Sequence, residues 1–456
     1  AGIELMYDSY LKGTDGAIKY YSDAKGNRLD KKEVYESPVS GMDIVLTIDY
    51  NIQKSIEREL DNIIDILNPD NALVIAMNPN TGEILGMGSR PGYDPNNYSK
   101  YNMETISRNL PIWMTYEPGS TFKIITTASA VEEGVVNLEK DTFYDTGSVK
   151  VTGSTLRCWK AGGHGHQTFL QVFENSCNPG FVSLGFKLGK EKLFSYIDLF
   201  GFGEQTGIDL NGEGSGIIFS LNNVHDLELA TTAFGQGVSV TPIQQVTAVS
   251  SIVNGGYLYK PYVLNNIYDS NTNTIFHQNE KSLVRKTISS NTSKIMRMAL
   301  ESVVARGGGK KVYIDGYRVG GKTGTAQKVQ NGVYLANNYI MSFMAVLPAP
   351  NPEVVLYLAI DNPKKTALLS SYTTTPYVRK ILLDIINIMK IEKQSNQIEK
   401  YYEVENVIGK TKSEAKKLLT GFDISYVGDG NIVKEQTPKA GERYYQSGKI
   451  RLLMGE

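Results

Sequence analysis

The pattern of apolar and polar positions first indicates a helix near residue 50. A strand-like run at 44–48 is followed by Asp49, a residue type that caps helices, and then by apolar side chains at every third or fourth position. The repeating positions are Ile52, Ile56, Leu60, Ile63, Ile64 and Leu67. This spacing places the apolar side chains on one face, so it predicts an amphipathic helix that ends before Pro69.

Two pairs of apolar runs predict β-hairpins at opposite ends of one domain. The first pair joins 73–77 to 84–87 through a turn at 78–82, and the second joins 339–347 to 354–360 through a Pro-rich turn. Pro376 then opens a helix with an apolar face. Antiparallel strands this far apart in sequence, with helices between them, indicate one α+β domain over 45–390 that contains an inserted helical region.

The two ends of the chain differ from this domain. Residues 1–44 are polar and rich in Tyr, Gly, Lys and Asp, and we interpret them as the remnant of an N-terminal pedestal domain without a core of its own. The polar, charged residues 391–402 predict a linker. Residues 403–456 predict a small βαββ unit, in which Thr411 and Glu414 form a capping box and Gly421 ends a short helix.

Composition and charge exclude several classes of function. The 456 residues carry 47 basic and 48 acidic side chains, and no basic tract is interleaved with aromatic residues, which argues against nucleic-acid binding. No run of about 18 apolar residues exists, so no segment is expected to cross a membrane. The sequence begins Ala-Gly-Ile-Glu, without an initiator Met or a signal-like stretch, and we expect an N-terminal anchor to precede it.

The first motif that carries chemistry is the run Glu117-Pro118-Gly119-Ser120-Thr121-Phe122-Lys123. Pro and Gly break the chain before an apolar-rich helix, so Ser120 is predicted in the first helical turn, where free N–H groups favour developing negative charge. Lys123 lies one turn later on the same face, and a partly desolvated lysine can accept the serine proton. This pattern alone favours a capped helix with a solvated lysine, because it is short and common.

Two further motifs lie downstream. Thr323, Thr325 and Lys322 open a strand-like run in which hydroxyls and an ammonium could hold a carboxylate, and Gly324 would let a substrate backbone lie close to an edge strand. The run Ser176-Cys177-Asn178 could supply a proton relay and an amide for a substrate carbonyl. Taken alone, the run that begins at Lys322 also fits a Gly-rich turn. The run Ser176-Cys177-Asn178, taken alone, indicates almost nothing about function.

In this order the three motifs, S-x-x-K, S-x-N and K-T-G, are much more specific than any one of them. They resemble the active-site signature of class B penicillin-binding proteins, and the likeness extends over the segments 89–96, 116–123 and 235–256. The C-terminal unit resembles a PASTA module that begins near Val404. One such module on a class B enzyme resembles the subgroup that acts in sporulation of spore-forming Firmicutes. The resemblance covers essentially the whole chain.

The resemblance implies a penicillin-binding/β-lactamase-like transpeptidase domain, with a five-stranded antiparallel sheet between helices and an all-helical region, followed by a small PASTA domain. The implied activity is that of a serine-type D-Ala-D-Ala transpeptidase that cross-links peptidoglycan, in the spore cortex, and is acylated by β-lactams. The implied location is the extracytoplasmic face of the cell membrane, at the forespore, beside a glycosyltransferase of the SEDS type.

The resemblance also implies a role for each motif residue. Ser120 would be the nucleophile, Lys123 the general base and Ser176 the proton relay. Backbone N–H groups of Ser120 and Thr325 would form the oxyanion hole. The substrate would be positioned by Asn178, Lys322, Thr323, Gly324 and Thr325.

One feature departs from the family pattern: the middle residue of S-x-N is Cys177. Cys158 is the only other cysteine, and His164 and His166 lie between the two. Two thiolates and two imidazoles are a ligand set for tetrahedral zinc, which would be structural because no separate general-base glutamate accompanies it. A disulfide between the two cysteines is a second reading, and unlinked thiols in a loop are a third. The serine chemistry itself needs no cofactor.

Two other classes of function use the same serine. A carboxypeptidase or β-lactamase would transfer the acyl group to water, although such hydrolases are usually smaller and lack a PASTA unit. A β-lactam sensor or division scaffold would be acylated without turnover. The rate of deacylation separates the first class from a transpeptidase, and exchange of a terminal D-Ala for a free D-amino acid separates the second.

Overall fold

The computed structural model describes residues 2–29, 33–330, 332–366, 370–445 and 448–456. Its centre is a five-stranded sheet in which every neighbouring pair is antiparallel, in the order β14-β15-β16-β4-β5. The strands are β4 (Asn71–Met77), β5 (Ile84–Arg90), β14 (Gly320–Gln330), β15 (Val333–Leu347) and β16 (Val354–Asp361). Both predicted hairpins are present, and β16 pairs with β4 to join them. The predicted α+β transpeptidase fold is confirmed.

Both faces of this sheet are buried, because helices cover each of them. Alternate residues of β4 enter different cores: Leu73, Ile75 and Met77 face one, and Ala72, Val74 and Ala76 face the other. Helices α3 (Tyr50–Leu67) and α14 (Thr375–Met389) cover the second face. The predicted cap of α3 is confirmed, since the Asp49 carboxylate accepts hydrogen bonds from the N–H groups of Asn51 and Ile52.

The long region between β5 and β14 lies over the other face and is mainly helical, as predicted. Its helices are α4 (Met103–Ser107), α5 (Leu110–Trp113), α6 (Lys123–Glu132), α7 (Phe169–Glu174), α8 (Asn178–Leu188), α9 (Lys190–Leu199), α10 (Asp226–Thr232), α11 (Pro242–Val253) and α12 (Ser290–Arg306). Short two-stranded sheets interrupt them: β6 (Thr142–Asp145) pairs with β9 (Gly165–Thr168), β7 (Ser148–Val151) with β8 (Ser154–Arg157), and β10 (Tyr257–Tyr259) with β13 (Leu283–Lys286).

The N-terminal segment is attached to this domain by a shared sheet. It contains α1 (Gly2–Met6), α2 (Asp8–Leu11), β1 (Ala17–Lys19), β2 (Val34–Glu36) and β3 (Asp43–Leu46), and β3 pairs with β11 (Leu264–Asp269), which pairs in turn with β12 (Thr274–Gln278). The Tyr7 hydroxyl donates to the Asp209 carboxylate at 2.7 Å, and that carboxylate also accepts from the N–H groups of Val263 and Leu264. The buried side chains of the N-terminal segment therefore pack in a small cluster that is shared with the main domain.

The C-terminal unit contains more strands than the predicted βαββ arrangement. It consists of β17 (Tyr401–Glu403), α15 (Lys412–Leu418), β18 (Asp423–Val427), β19 (Ile432–Thr437), β20 (Arg443–Tyr445) and β21 (Lys449–Gly455). Strand β21 lies between β18 and β19, and β17 pairs with β20. The short, mixed apolar and charged runs of β19 and β20 carry little alternation, which is why the pattern missed them.

The predicted linker has no helix or strand between 391 and 400, but it is bound to the main domain. The Gln397 amide donates to the carbonyls of Ile314 and Tyr317 at 2.8 and 2.6 Å, and the Ile398 N–H donates to the Glu301 carboxylate at 3.0 Å. Residues 391–400 are therefore fixed against the main domain, and we refer to them as the docked strap. None of the helices in the described part of the chain has the length and apolar character that crossing a membrane requires.

Candidate active site

Ser120 lies in a 3₁₀ turn, Gly119–Thr121, which leads directly into α6 at Lys123. The turn is pressed against β14: Gly119 has a φ of 56°, and a Cβ at this position would lie 2.6 Å from the carbonyl oxygen of Thr325. The Gly119 N–H donates to the carbonyl of Gly235 at 2.9 Å. The Pro-Gly pair thus starts the helix, as predicted, with one tighter turn that brings Ser120 beside the K-T-G-T strand.

Lys123 is completely buried, and its amine connects the first two motifs. Its Nζ donates to Asn178 Oδ1 at 2.7 Å and to the Ser176 carbonyl at 2.9 Å, and lies 3.1 Å from Ser176 Oγ. Burial lowers the pKa of Lys123 to about 7, although the charges of Cys177 and Cys158 oppose this shift. A large fraction of Lys123 is therefore a neutral amine near neutral pH, which is the form that can accept a proton.

The S-x-N segment is held in an unusual backbone conformation. Ser176 has a φ of 55°, a left-handed value that costs energy in a residue with a Cβ. Asn178 is the first residue of α8, and its Nδ2 donates to the Arg157 carbonyl at 3.2 Å. The strain at Ser176 is compensated by the contacts that bring its hydroxyl and the Asn178 amide to the same lysine.

The K-T-G-T motif lies on β14, which is an edge strand of the sheet, as predicted. Lys322 is fully buried, and burial, followed by the nearby charge of Lys123, lowers its pKa well below the usual value. A substrate carboxylate beside it would favour its charged form again. A Cβ at Gly324 would lie 2.2 Å from Ser342 Oγ and 3.0 Å from Thr121, so close packing inside the protein by itself requires glycine here.

The three motifs meet in one cleft of about 370 Å³. The predicted residues that line it are Ser120, Ser176, Asn178, Thr323 and Thr325. Sequence patterns did not single out Ser370, whose hydroxyl lies 2.6 Å from that of Thr325 and also bonds to the Gly324 carbonyl. Trp159 also lines the cleft, and its indole N–H donates to the Asn175 carbonyl at 2.7 Å. No local motif marks either residue, because each reaches the cleft from a separate element.

A second cluster lies directly behind the S-x-N segment. Asp145 Oδ2 accepts from Cys177 Sγ at 3.2 Å and lies 3.1 Å from His164 Nδ1, which is 3.3 Å from Cys158 Sγ. These four ligand atoms all lie within 4.8 Å of one another, and both cysteines are free thiols. A tetrahedral zinc ion with bonds of about 2.0–2.3 Å needs ligand atoms roughly 3.3–3.8 Å apart. The donor chemistry suits zinc, and the three contacts of 3.1–3.3 Å lie near this spacing.

The predicted ligand set changes at one position. His166 lies on β9, where it pairs with Tyr144, and it is exposed and outside the cluster. Asp145, at the end of β6, takes the fourth place that His166 was expected to fill. Burial opposes ionisation of Asp145, but hydrogen bonds from the Gly147 N–H and from the two thiols hold its pKa well below the usual range. The contacts with Cys177 and His164 lower the pKa of Cys158, whereas the contact with Cys158 and burial raise the pKa of Cys177, so Cys158 is the first thiol to ionise.

Three family models match separate parts of the chain. The transpeptidase domain of penicillin-binding proteins matches residues 72–385, the PASTA domain matches 402–456, and the penicillin-binding protein dimerisation domain matches 1–46. The chain belongs to the penicillin-binding protein transpeptidase family. The predictions of a class B, serine-type D,D-transpeptidase with a PASTA domain are confirmed at this level.

Individual relatives place the chain within the family. Stage V sporulation protein D of Bacillus subtilis (strain 168) is 50% identical over 464 residues, which cover all of this chain and 72% of that protein, and this confirms the predicted likeness to the sporulation subgroup. A "Peptidoglycan D,D-transpeptidase FtsI homolog" of Mesostigma viride is 31% identical and is matched over 86% of this chain and 69% of its own. Penicillin-binding protein 2X from Streptococcus thermophilus has a similar structure, with a TM-score of 0.73, 25% identity and coverage of 100% and 69%.

Proposed function

We propose that Ser120 is the nucleophile of a peptidoglycan D,D-transpeptidase and that Lys123 is its general base. The observation that carries this proposal is the contact of the buried Lys123 amine with both Ser176 and Asn178, one helical turn after Ser120. The neutral amine takes the Ser120 proton while Ser120 Oγ bonds to the carbonyl carbon of the penultimate D-Ala. The C–N bond to the terminal D-Ala then breaks, and the proton reaches the leaving amine through the Ser176 hydroxyl.

The second half of the reaction runs the same steps in reverse. The amine of a neighbouring stem peptide gives up a proton through Ser176 to Lys123 and attacks the ester carbon, so that Ser120 leaves with its proton restored. The N–H groups of Ser120 and Thr325 stabilise the oxyanion in both halves. Asn178, Lys322, Thr323 and Thr325 hold the donor peptide, and Gly324 keeps their strand close to the nucleophile. A β-lactam enters the first half as an acyl donor and blocks the second.

Labelling with a fluorescent penicillin tests the assignment of the nucleophile. We expect the full chain to be labelled and Ser120→Ala to lose the label completely. Ser129→Ala is the matched control, because Ser129 lies on α6, the helix that follows Ser120, with its hydroxyl bonded to the Ile125 carbonyl and outside the lining of the cleft. Persistent labelling of Ser120→Ala would overturn the proposal. Exchange of terminal D-Ala for a labelled D-amino acid then shows transfer to an amine, and rapid release of hydrolysed penicillin would instead indicate a β-lactamase.

We further propose that Asp145, Cys158, His164 and Cys177 hold a structural zinc ion. The donor set of two thiols, one imidazole and one carboxylate suits zinc, and the four groups already converge in a buried position. The ion would supply a fixed crosslink between β6, the loop before β9 and the S-x-N segment, without taking part in acyl transfer. Holding Cys177 in this way would steady Ser176 and Asn178, its two neighbours.

Metal analysis and thiol titration of the full chain, purified without chelator or reductant, test the zinc site. We expect about one zinc per chain and two thiols that react only after chelation. Absence of metal together with loss of both thiols would support a disulfide between Cys158 and Cys177 instead. Absence of metal with two reactive thiols would mean that the cluster has no crosslinking role.

We also propose that the enzyme works at the extracytoplasmic face of the forespore membrane, tethered by a segment that precedes residue 1, next to a SEDS-type glycosyltransferase and on spore-cortex peptidoglycan. The similarity to a sporulation protein and the match of residues 1–46 to a penicillin-binding protein dimerisation domain support this setting. Imaging of the tagged, natural-length protein during sporulation tests the location, and co-purification from forespore membranes tests the partner. Uniform distribution in vegetative cells would contradict it.

A further inference from the structure

A buried tyrosine hydroxyl lies beneath the turn that carries Ser120. Tyr357 is on β16 and has no exposed surface. Its hydroxyl lies 2.5 Å from the hydroxyl of Tyr116 and accepts a hydrogen bond from Gln245 Nε2 at 3.3 Å. These three polar side chains come from the strand at the centre of the sheet, the segment before the nucleophile and helix α11, and they meet inside an otherwise apolar core.

The contacts of this hydroxyl reach both sides of Ser120. Tyr116 precedes the serine by four residues, and its backbone is fixed by two hydrogen bonds to Val240. Gln245 reaches the other side, because the single hydrogen of the Thr121 hydroxyl is shared between Gln245 Oε1 at 2.7 Å and the Pro118 carbonyl at 2.9 Å. One hydroxyl therefore connects the residues before and after the nucleophile to the same point on the sheet.

A third neighbour of Tyr357 lies beside the K-T-G-T strand. Ser342 on β15 lies near the Tyr357 hydroxyl, where it favours the ionised form and so opposes the effect of burial on the pKa of Tyr357. Ser342 is 1% exposed, and its Oγ is the atom that a Cβ at Gly324 would meet at 2.2 Å. Tyr357 is thus bonded through Tyr116 and Gln245 to the turn of Ser120, and it lies on the same sheet as the strand of Gly324.

Such a network of buried hydrogen bonds favours a single position of the Ser120 turn on the sheet. Buried polar groups without partners cost energy, so a shift of the turn relative to the sheet weakens the bonds of Tyr357 to Tyr116 and Gln245. Burial raises the pKa of both Tyr116 and Tyr357, so each stays a neutral hydroxyl that can donate and accept. Nucleophilic attack is sensitive to displacements of about 1 Å, which can change the rate by as much as 100-fold.

We propose that Tyr357 is a positioning residue for acylation, whose hydroxyl holds the Ser120 turn in register with the K-T-G-T strand. This inference rests on the proposed role of Ser120 as nucleophile. Tyr357 touches no substrate, so the loss of its hydroxyl acts on the rate of the chemical step. Initial binding of the acyl donor, which depends on the groups that line the cleft, stays unchanged.

Stopped-flow acylation of the full chain by a chromogenic cephalosporin, with Tyr357→Phe, tests the proposal. The experiment separates the dissociation constant of the initial complex from the acylation rate constant. We expect the rate constant to fall by about 10- to 100-fold and the dissociation constant to change by less than about twofold. Tyr196→Phe is the matched control, since Tyr196 is also buried and donates to Glu133 at 2.8 Å, but far from the cleft.

The outcomes decide between a positioning and a purely structural role. A wild-type acylation rate in Tyr357→Phe would overturn the proposal, as would a change confined to the dissociation constant or an equal loss of rate in Tyr196→Phe. If Tyr357→Phe does not fold, Gln245→Met cuts the link to Thr121 while keeping Tyr357, and the same selective loss of rate is expected. Failure of the proposed nucleophile is recognised separately, by persistent labelling of Ser120→Ala.

Discussion

The Lys123 amine lies 2.7 Å from Asn178 Oδ1, although the two residues belong to different helices and are 55 positions apart in sequence. This contact joins the S-x-x-K motif to the S-x-N motif. The Lys123 side chain itself is fully buried. The amine is therefore both desolvated and oriented, which are the two conditions that make a lysine a base near neutral pH.

Acylation should depend on pH through Lys123. Burial lowers the pKa of Lys123 to about 7, so its neutral form predominates above that pH and its protonated form below. We expect the rate of β-lactam acylation to be level above about pH 8 and to fall toward roughly one-tenth for each pH unit below 7. Rates across pH 5–9 measure this dependence. A midpoint near pH 10 would contradict the role of a buried base.

Lys123→Arg provides the control for this pH profile. Arginine stays protonated throughout the range, so acylation should drop by at least about 100-fold and lose the midpoint near 7. The variant keeps a positive charge in the same place, which separates the need for a neutral base from the need for a charge. Activity close to wild type in this variant would show that another group accepts the proton.

Ser176 should show different requirements for its backbone and its hydroxyl. Ser176→Ala and Ser176→Gly both remove the hydroxyl, so both should acylate about 100-fold more slowly. Because Ser176 has a φ of 55°, glycine fits the backbone better, and the glycine variant should be about 1 kcal/mol more stable than the alanine variant. Chemical denaturation and acylation kinetics measure the two effects separately. The reverse order of stability would argue against the left-handed conformation.

The two histidines near the cysteines should behave differently. The His164 side chain is 5% exposed and faces both Cys158 and Asp145, whereas His166 is exposed on β9. If the proposed zinc site is correct, His164→Ala should bind no zinc and melt at a lower temperature, and His166→Ala should match the unsubstituted protein in both zinc content and melting temperature. Elemental analysis and thermal unfolding check this. Equal loss of zinc in both variants would restore the ligand set expected from the sequence.

The ion pair under the docked strap should contribute strongly to stability. Arg318 Nη2 lies 2.7 Å from the carboxylate of Glu301, which is 2% exposed and also accepts from the Ile398 N–H. Arg318→Met leaves that buried carboxylate without its cation, and we expect a loss of about 3 kcal/mol in the free energy of unfolding. Lys364→Met removes an exposed pair with Asp70 and should cost less than about 1 kcal/mol. Similar losses in both variants would contradict the difference in burial.

The sequence by itself determined the features that depend on short spacings. One helical turn separates Ser120 from Lys123, the apolar stripe of α3 returns every three or four residues, and β4, β16 and the end of β15 are largely apolar runs. These relationships follow from local backbone geometry, so they can be recognised without knowledge of the fold. The order of the three motifs predicted the remaining site residues. Ser120, Ser176, Asn178, Thr323 and Thr325 line one cleft, whereas Lys123 and Lys322 are fully buried.

Only the tertiary structure decided which side chains meet over long separations. Asp145 joins the cysteine cluster because it pairs with Gly165 across β6 and β9, a register that no local pattern contains. Gly165 has a φ of 69°, which turns the chain between His164 and His166 and sends the two imidazoles in different directions. The hydroxyl of Tyr357 likewise reaches Tyr116 only because β16 packs beneath the Ser120 turn. Spacing in sequence specifies neighbours within one element, whereas contacts between elements depend on how the whole core packs.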